Sequence, residues 1–162
     1  MPGRRHPMTA TGTGDFAGYG CEDAAGLLGR AVAHLFLGQP VEAERLLRAA
    51  VRLAPELAAA HAYLGAALLA QGRERAARRA LERAVRLDPS DFVVRTQRAR
   101  YFLAGGRYRE AFIELAVALW RAPDPGSRQL VRDLLRQILA IYRPLWDDQP
   151  SRCPGVRPSA GL

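Results

Sequence analysis

The heptapeptide AVRLAPE at Ala50–Glu56 is written again, almost unchanged, as AVRLDPS at Ala84–Ser90. A weaker third copy, ALWRAPD, occupies Ala118–Asp124, and each copy is displaced by 34 residues from the one before it. The copies keep this period without an insertion, as their prolines show: Pro55, Pro89 and Pro123. A fixed period of this length is typical of proteins built from stacked helical units, so the sequence predicts a repeat architecture.

Each copy divides into two helical segments when the three are aligned by their prolines. In the middle copy, the first helix is predicted at about Leu57–Ala70, the letters QGR form a turn, and the second helix is predicted at about Glu74–Leu87. The second helix should stop before the corner proline, because the residue preceding a proline disfavours the α conformation. Gly38 and the pair Gly105-Gly106 mark the same turn in the outer copies, since glycine reaches a left-handed backbone angle at little cost.

Small residues recur at slots where two helices must approach closely, and a large apolar residue fills the facing slot. Three slots are small in every copy, which general helix propensity does not explain. The small slots hold Ala31, Gly65 and Ala99; Ala43, Ala77 and Ala111; and Ala50, Ala84 and Ala118, while the large slot holds Leu47, Leu81 and Leu115.

The middle copy carries a recognisable motif: the Leu64-Gly65 pair, spaced alanines such as Ala77, and the closing Pro89. With the 34-residue period, it resembles the tetratricopeptide repeat, a helix–turn–helix unit. The resemblance covers about residues 24–125. It implies an all-α fold: a right-handed α-α superhelix of three helix-turn-helix repeats plus a capping helix.

The outer copies depart from that pattern. They have Arg30-Ala31 and Arg98-Ala99 in place of the Leu-Gly pair, and His61 and Arg95 lie where the family often has a large aromatic side chain. The resemblance therefore predicts the family's fold, but it does not indicate which member of the family this chain is most similar to.

The segments outside the repeats have different compositions. From Ser127 onward, apolar residues recur every four positions, and Asp124 before Pro125 is a plausible N-cap, which predicts the capping helix. The two flanks lack the apolar content that offsets chain entropy and are predicted to be disordered. The predicted division is a tail at 1–22, a domain at 23–143 with repeats at about 24–57, 58–91 and 92–125 and the capping helix at 126–143, and a tail at 144–162.

Composition limits the function classes. The 162 residues carry a net charge of +8 with arginine as the only basic residue apart from histidine, and no apolar run approaches the length of a membrane span. The N-terminus lacks the apolar segment of a secretion signal, and Cys21 and Cys153 lie in the flanks without metal-ligand or redox spacing. We expect a cytoplasmic protein with no membrane contact, no metal and no cofactor.

Residues suited to catalysis are scarce. The aliphatic hydroxyls of the repeat and capping regions are Ser90, Thr96 and Ser127, and none lies in a nucleophile motif. His34 and His61 occupy slots that normally hold bulky packing side chains, so we interpret them as partly buried fillers. No glycine-rich phosphate loop is present. The sequence therefore predicts a protein that is not an enzyme and has no catalytic residues.

The resemblance also implies a binding surface. In the family, the first helix of each repeat lines a concave groove that holds a partner's peptide or helix. Such a groove would here be mainly apolar with one cation near its end, and would suit an apolar or amphipathic segment of a protein partner. The matching groove positions are Leu28, Val32, Leu35, Ala59, Ala62, Tyr63, Ala66, Leu69, Val93, Thr96, Gln97 and Arg100.

Two subtypes of the family can be weighed on residues. Repeat proteins that bind the carboxylate tails of Hsp70 or Hsp90 use Lys, Asn and Arg at slots that here hold Leu28, Val32, Tyr63, Val93 and Gln97, which argues against that role. Bacterial secretion chaperones of the three-repeat type resemble this chain in length and repeat number. They are typically acidic, whereas this chain is basic, so this function is kept as an alternative.

A third class of function rests on charge. Arg75, Arg79, Arg83 and Arg86 fall on one face of the middle copy's second helix, at spacings of four, four and three. This basic patch could attract an acidic protein or, less favourably, nucleic acid, since phosphate binding needs cations but base stacking needs aromatics that are absent here. The sequence names neither the partner nor the state of self-association.

Overall fold

The computed structural model describes the backbone of residues 23–147 and the side chains of residues 23–141. Within that part of the chain all regular secondary structure is helical. Both predicted tails lie outside the described residues, except for positions 144–147. The helices are α1 (Ala24–Phe36), α2 (Pro40–Leu53), α3 (Ala58–Ala70), α4 (Glu74–Leu87), α5 (Phe92–Ala104), α6 (Tyr108–Arg121) and α7 (Pro125–Asp147).

The helices pair into three hairpins, α1–α2, α3–α4 and α5–α6, followed by α7, which confirms the predicted superhelix. The predicted bounds of the middle hairpin hold to within one residue. The turn inside each hairpin contains a left-handed glycine, at Gly38 (φ 71°), Gly72 (φ 74°) and Gly106 (φ 69°). Because other residues rarely adopt this backbone angle, these three glycines fix the hairpin turns.

The repeated slots form the core. All nine residues of the three small slots are buried, and so are the large-slot leucines Leu47, Leu81 and Leu115. Fully burying one such leucine contributes about 1.5–3 kcal/mol. The sequence period thus corresponds directly to the packing period of the stack.

Gly65 allows the closest helix approach in the middle hairpin. A Cβ atom at this position would lie 2.7 Å from Leu81 Cγ and 3.2 Å from the Ala77 carbonyl oxygen. The first distance is shorter than real contacts of this kind, so any side chain here would push α3 away from α4. The structure confirms that this slot exists for close approach.

The corners between repeats are held by side chains from the following first helix. His61 Nε2 lies 2.9 Å from the Pro55 carbonyl oxygen, and Arg95 Nε donates to the Pro89 carbonyl oxygen at 2.7 Å. The two residues occupy equivalent slots, 34 positions apart. The histidine and the arginine that replace the usual aromatic are therefore corner residues with the same contact.

The capping helix α7 begins as predicted. Asp124 accepts hydrogen bonds from the backbone N–H (2.9 Å) and hydroxyl (2.7 Å) of Ser127, and Pro125 is the first helical residue. On the inner face of α7, Val131, Leu134 and Ile138 are buried in one cluster with the third hairpin.

The end of α7 and its composition complete the fold. The helix continues to Asp147, four residues past the predicted end at 143. Of the helices between residues 23 and 147, none combines the length and apolar character that crossing a membrane requires.

Candidate functional site

The first helices of the hairpins, α1, α3 and α5, lie side by side and form one face of the stack. Nine of the twelve predicted groove residues contribute surface to it. Arg100 is exposed. The other eight are partly buried: Leu28, Val32, Leu35, Ala59, Tyr63, Ala66, Leu69 and Val93.

Three predicted groove residues lie beneath that surface instead. Ala62 is 0% exposed and belongs to a core cluster with Val94 and Leu81. Thr96 is 2% exposed, and its hydroxyl donates to the Phe92 carbonyl oxygen at 2.8 Å. Gln97 is 6% exposed. The reason is that α5 packs directly against α3, so residues facing the neighbouring first helix are covered by it.

A cavity of about 340 Å³ opens between α3 and α5. Its walls are mainly apolar, its floor includes the close-approach residue Gly65, and its two polar residues both come from α5. The lining residues are Gly65, Ala66, Leu69, Ala70, Leu81, Gln97, Arg100 and Ala104.

Gln97 brings an unsatisfied polar atom to this cavity. Its side-chain amide hydrogen bonds to the Tyr63 hydroxyl, while its Oε1 is buried and has no hydrogen-bond partner among the described residues. Burial raises the pKa of Tyr63, so this hydroxyl stays protonated at neutral pH. A buried acceptor without a donor costs about 1–3 kcal/mol, which makes Gln97 a position where an incoming donor would be favourable.

Arg100 supplies the charge at the rim of the cavity. Within residues 23–141, no carboxylate forms an ion pair with its guanidinium, and its positive charge acts on Tyr63. The sequence indicated that Gln97 and Arg100 lie on the same face as the apolar groove residues. It did not indicate that an apolar cavity, an unpaired cation at Arg100 and an unpaired acceptor at Gln97 Oε1 would lie together.

Two buried carboxylates were also missed by the sequence interpretation. Glu44 lies between Gln71 Nε2 (2.7 Å), Arg73 Nη1 (2.7 Å) and Arg48 Nη2 (2.6 Å). Burial alone would raise the pKa of Glu44, but the hydrogen bonds from Gln71 and Arg73 and the nearby arginine charges hold this pKa below its ordinary value.

Glu114 is the second buried carboxylate, bonded to Arg95 Nη1 and Arg98 Nη1, both at 3.0 Å. Each carboxylate is therefore part of an ion-pair cluster that joins neighbouring helices. The sequence contained one indication of the first cluster, because Glu44 and Arg48 are four residues apart and so lie on one face of a helix.

The residues with catalytic potential are engaged in structural contacts. Ser90 Oγ donates to Asp88 at 2.8 Å, and the hydroxyls of Thr96 and Ser127 donate to the acceptors described above. His34 Nδ1 lies 2.6 Å from Gln39 Oε1 at the first hairpin turn, and His61 holds a corner. In residues 23–141, His, Cys, Asp and Glu do not gather into a group that could hold a metal ion.

The opposite, convex face carries the basic patch. Arg75, Arg79, Arg83 and Arg86 are all exposed on α4, and none of them forms an ion pair with a described carboxylate. The equivalent slots of α6 hold Arg109 followed by apolar residues, of which Ile113 is 60% and Trp120 is 91% exposed. The same face is therefore basic on the middle repeat and partly apolar on the third.

Comparison with known proteins agrees with this fold. The family model described as "Tetratricopeptide repeat" matches residues 34–101. A search of curated protein sequences finds no match.

Solved structures of similar fold include the Yersinia enterocolitica type III secretion chaperone SycD in complex with a peptide of the translocator YopD. It has a TM-score of 0.55 and 22% identity over 71% of this chain and 91% of that one. The first repeat domain of Spaghetti (RPAP3), bound to the HSP90 peptide SRMEEVD, has a TM-score of 0.57 and 18% identity over 73% and 96%. The Sgt2 repeat domain from Aspergillus fumigatus has a TM-score of 0.57 and 18% identity over 85% and 91%.

Proposed function

We propose that this chain, which folds as three tetratricopeptide repeats closed by a capping helix, is a non-enzymatic adaptor that binds a segment of a protein partner. The binding surface is the face formed by α1, α3 and α5, and the segment is apolar or amphipathic. Its mechanism is burial of apolar side chains in a preformed groove, which needs no bond making or breaking.

The observation that carries this proposal is the cavity between α3 and α5. It offers apolar walls for a side chain, the buried Gln97 Oε1 for a donor, and the unpaired Arg100 for a carboxylate. A peptide supplies all three, since an extended segment has backbone N–H groups beside each side chain. The terminal torsion of glutamine is soft, so a small rotation can turn Oε1 toward such a donor.

The engagement of the hydroxyls and histidines in caps and corners supports the non-enzymatic part of the proposal. A nucleophile needs a free hydroxyl beside a general base, and Ser90, Thr96 and Ser127 each donate to a structural acceptor instead.

A charged side chain placed in the cavity tests the groove. Ala66→Arg projects a long cation from the α3 wall, and we expect the full chain carrying it to lose its partner in a pull-down analysed by mass spectrometry. An apolar segment would have to desolvate that charge, so affinity should fall at least about tenfold, or about 1.4 kcal/mol.

Ala140→Arg is the matched control, because Ala140 is exposed on α7, away from the groove. Proteins that are captured by the wild type and Ala140→Arg but not by Ala66→Arg would be groove partners. Equal capture by all three, with unchanged helicity in Ala66→Arg, would contradict the groove as the binding surface.

A second candidate function is that of a bacterial secretion chaperone of the three-repeat type. What favours it is the likeness to SycD over most of both chains, although at 22% identity the likeness concerns the fold alone. Co-expression with a translocator protein of the same genome would test it: a soluble complex that Ala66→Arg abolishes is the expected result.

A third candidate uses the convex face, where four arginines lie on α4 without ion pairs. An acidic protein fits this patch better than nucleic acid does, because exposed aromatic side chains are not interleaved with the arginines. Arg75→Glu with Arg79→Glu would abolish binding on this alternative, and wild-type binding would disappear at moderate salt.

A further inference from the structure

The two junctions between successive repeats can be compared position by position. At the first junction, the Glu44 carboxylate of α2 accepts hydrogen bonds from Gln71 and Arg73 in the turn of the next hairpin, both at 2.7 Å. Gln71 also donates to the Pro40 carbonyl oxygen at 3.2 Å. One buried carboxylate therefore connects the first repeat to the second.

The second junction has an arginine in the carboxylate's slot. Thirty-four residues after Glu44 stands Arg78, and 34 residues after Arg73 stands Arg107, so two cations occupy positions that hold an anion and a cation at the first junction. The charge of the residue four positions later is also reversed: Glu44 pairs with Arg48 in α2, whereas Arg78 pairs with Glu82 in α4 (2.8 Å). Arg107 bonds to Glu110 of its own helix (2.9 Å) instead of to α4.

A cavity of about 270 Å³ lies at this second junction. Three guanidinium groups and the Glu82 carboxylate line it. The other carboxylates that pair with these arginines, Glu114 with Arg98 and Glu110 with Arg107, lie outside the lining. Phe102 forms a platform in it, with Arg107 Cζ 4.5 Å and Arg98 Cζ 5.3 Å from the ring centroid. The lining residues are Arg78, Leu81, Glu82, Arg98, Tyr101, Phe102 and Arg107.

We propose that this cavity binds the carboxylate of an acidic side chain from a protein partner. The ligand takes the place that Glu44 has at the first junction, and it bridges Arg78 on α4 to Arg107 in the following turn. Each arginine has donors left for it, because a guanidinium carries five N–H groups and the contacts described above use only some of them. The fork of two N–H groups on arginine matches the two oxygens of a carboxylate.

This site is separate from the groove between α3 and α5 and shares only Leu81 with its lining. The proposal therefore stands or falls independently of the peptide-binding function. It also differs from the convex patch, since Arg75, Arg79, Arg83 and Arg86 are not among the lining residues.

A charge-neutral swap tests the site. Arg78→Glu combined with Glu82→Arg reproduces the arrangement of Glu44 and Arg48 at the second junction without changing the net charge. The introduced carboxylate can then bond to Arg107 and fill the site from within. We expect this swap to leave thermal stability equal or higher and to abolish binding of an external carboxylate.

The probe is N-acetylglutamate N′-methylamide, titrated into the full-length protein while the side-chain Nε–H signals of the arginines are followed by NMR. For the wild type we expect saturable shifts of the Arg78, Arg98 and Arg107 signals with a Kd of about 1–10 mM, weaker at high salt. The neutral glutamine analogue should produce no such shifts.

The matched control exchanges an exposed ion pair on α2, Glu42→Arg with Arg45→Glu, which lies outside the cavity. It should bind the probe as the wild type does. The proposal is overturned if the wild type gives no saturable shifts, or if the Arg78→Glu, Glu82→Arg swap binds the probe unchanged.

Discussion

A buried carboxylate closes the junction between the first and second repeats, whereas three arginines line a cavity at the junction between the second and third repeats. Glu44 satisfies Gln71 and Arg73 across the first junction. The equivalent residues Arg78 and Arg107 of the second junction pair instead with Glu82 and Glu110, each only three or four residues away in the chain. The same backbone period therefore supports two different electrostatic solutions.

The difference between the two junctions separates the core residues, which folding requires at every repeat, from the junction-edge residues, which can vary between repeats. The small and large core slots are filled alike in all three copies, because backbones at close approach tolerate little change in volume. The arginines at the junction edges are about half exposed, so water can solvate Arg78 in the slot where the first junction buries Glu44. Such positions can be recruited for binding without loss of the fold.

Gly65→Leu should have the largest effect, because it disturbs α3, the helix that both junctions share. The new side chain would overlap Leu81 Cγ and press on the Ala77 carbonyl oxygen, forcing α3 and α4 apart. We expect a loss of about 1–3 kcal/mol in the free energy of unfolding, measured by urea denaturation.

Gly29→Leu is the control for that substitution. A Cβ at Gly29 would meet nothing within 4 Å, and the position is exposed in α1. The change should be neutral or slightly stabilising, since leucine has a higher helix propensity than glycine. Equal effects at the two glycines would contradict the close packing of the middle hairpin.

The next prediction compares the stability lost when each junction's residue at the same repeat position is replaced by leucine, in Glu44→Leu and in Arg78→Leu. Removing the buried carboxylate leaves Arg73 without this acceptor and leaves Gln71 with the Pro40 carbonyl oxygen alone. We expect a cost of about 1–2 kcal/mol, below that of a fully buried pair because the arginine partners are half exposed. Arg78→Leu should leave the urea midpoint nearly unchanged. A larger loss at Arg78 would mean that the second junction is also closed by an ion pair.

The first junction should also be sensitive to acid. The pKa of Glu44 is held below its ordinary value in the folded chain, so its contribution to stability is complete above the ordinary glutamate pKa of about 4.3 and is lost as pH falls through the lowered folded value. Thermal melting followed between about pH 7 and pH 3 should therefore show a smaller acid-induced drop in Tm for Glu44→Gln than for the wild type. Parallel curves would show that the carboxylate contributes nothing by its charge.

Much of the fold could be predicted because the residues that pack the core recur at a fixed period in the sequence. Pro55, Pro89 and the glycines of the turns mark the ends of helices, and the bounds predicted for α4 are those observed. A helix end depends on local backbone chemistry, which one sequence carries in full.

The site was predicted less completely, because it depends on how neighbouring helices cross. Ala62 and Thr96 belong to α3 and α5, which form the candidate groove, but these helices approach so closely that both residues are covered. Likewise, no period in the sequence indicates that Gln97 has a buried acceptor without a donor, or that Glu44 is enclosed by residues almost thirty positions away. These properties arise from tertiary geometry alone.

Arg79→Gln should have the smallest effect and concerns the outer side of α4, the helix that forms one wall of the open junction. Arg79 lies four residues from both Arg75 and Arg83, all exposed, and like charges at this spacing destabilise a helix by about 0.2–0.5 kcal/mol per pair. Replacing the central arginine should therefore raise stability slightly at about 0.02 M salt and have no effect at about 0.5 M, where screening removes the repulsion.

Arg78→Gln on the junction side should show no such gain, because Arg78 is already paired with Glu82. Urea midpoints at the two salt concentrations measure both effects. A gain for Arg78→Gln equal to that for Arg79→Gln would show that α4 carries its excess charge evenly, and that the two sides of the helix are not electrostatically distinct.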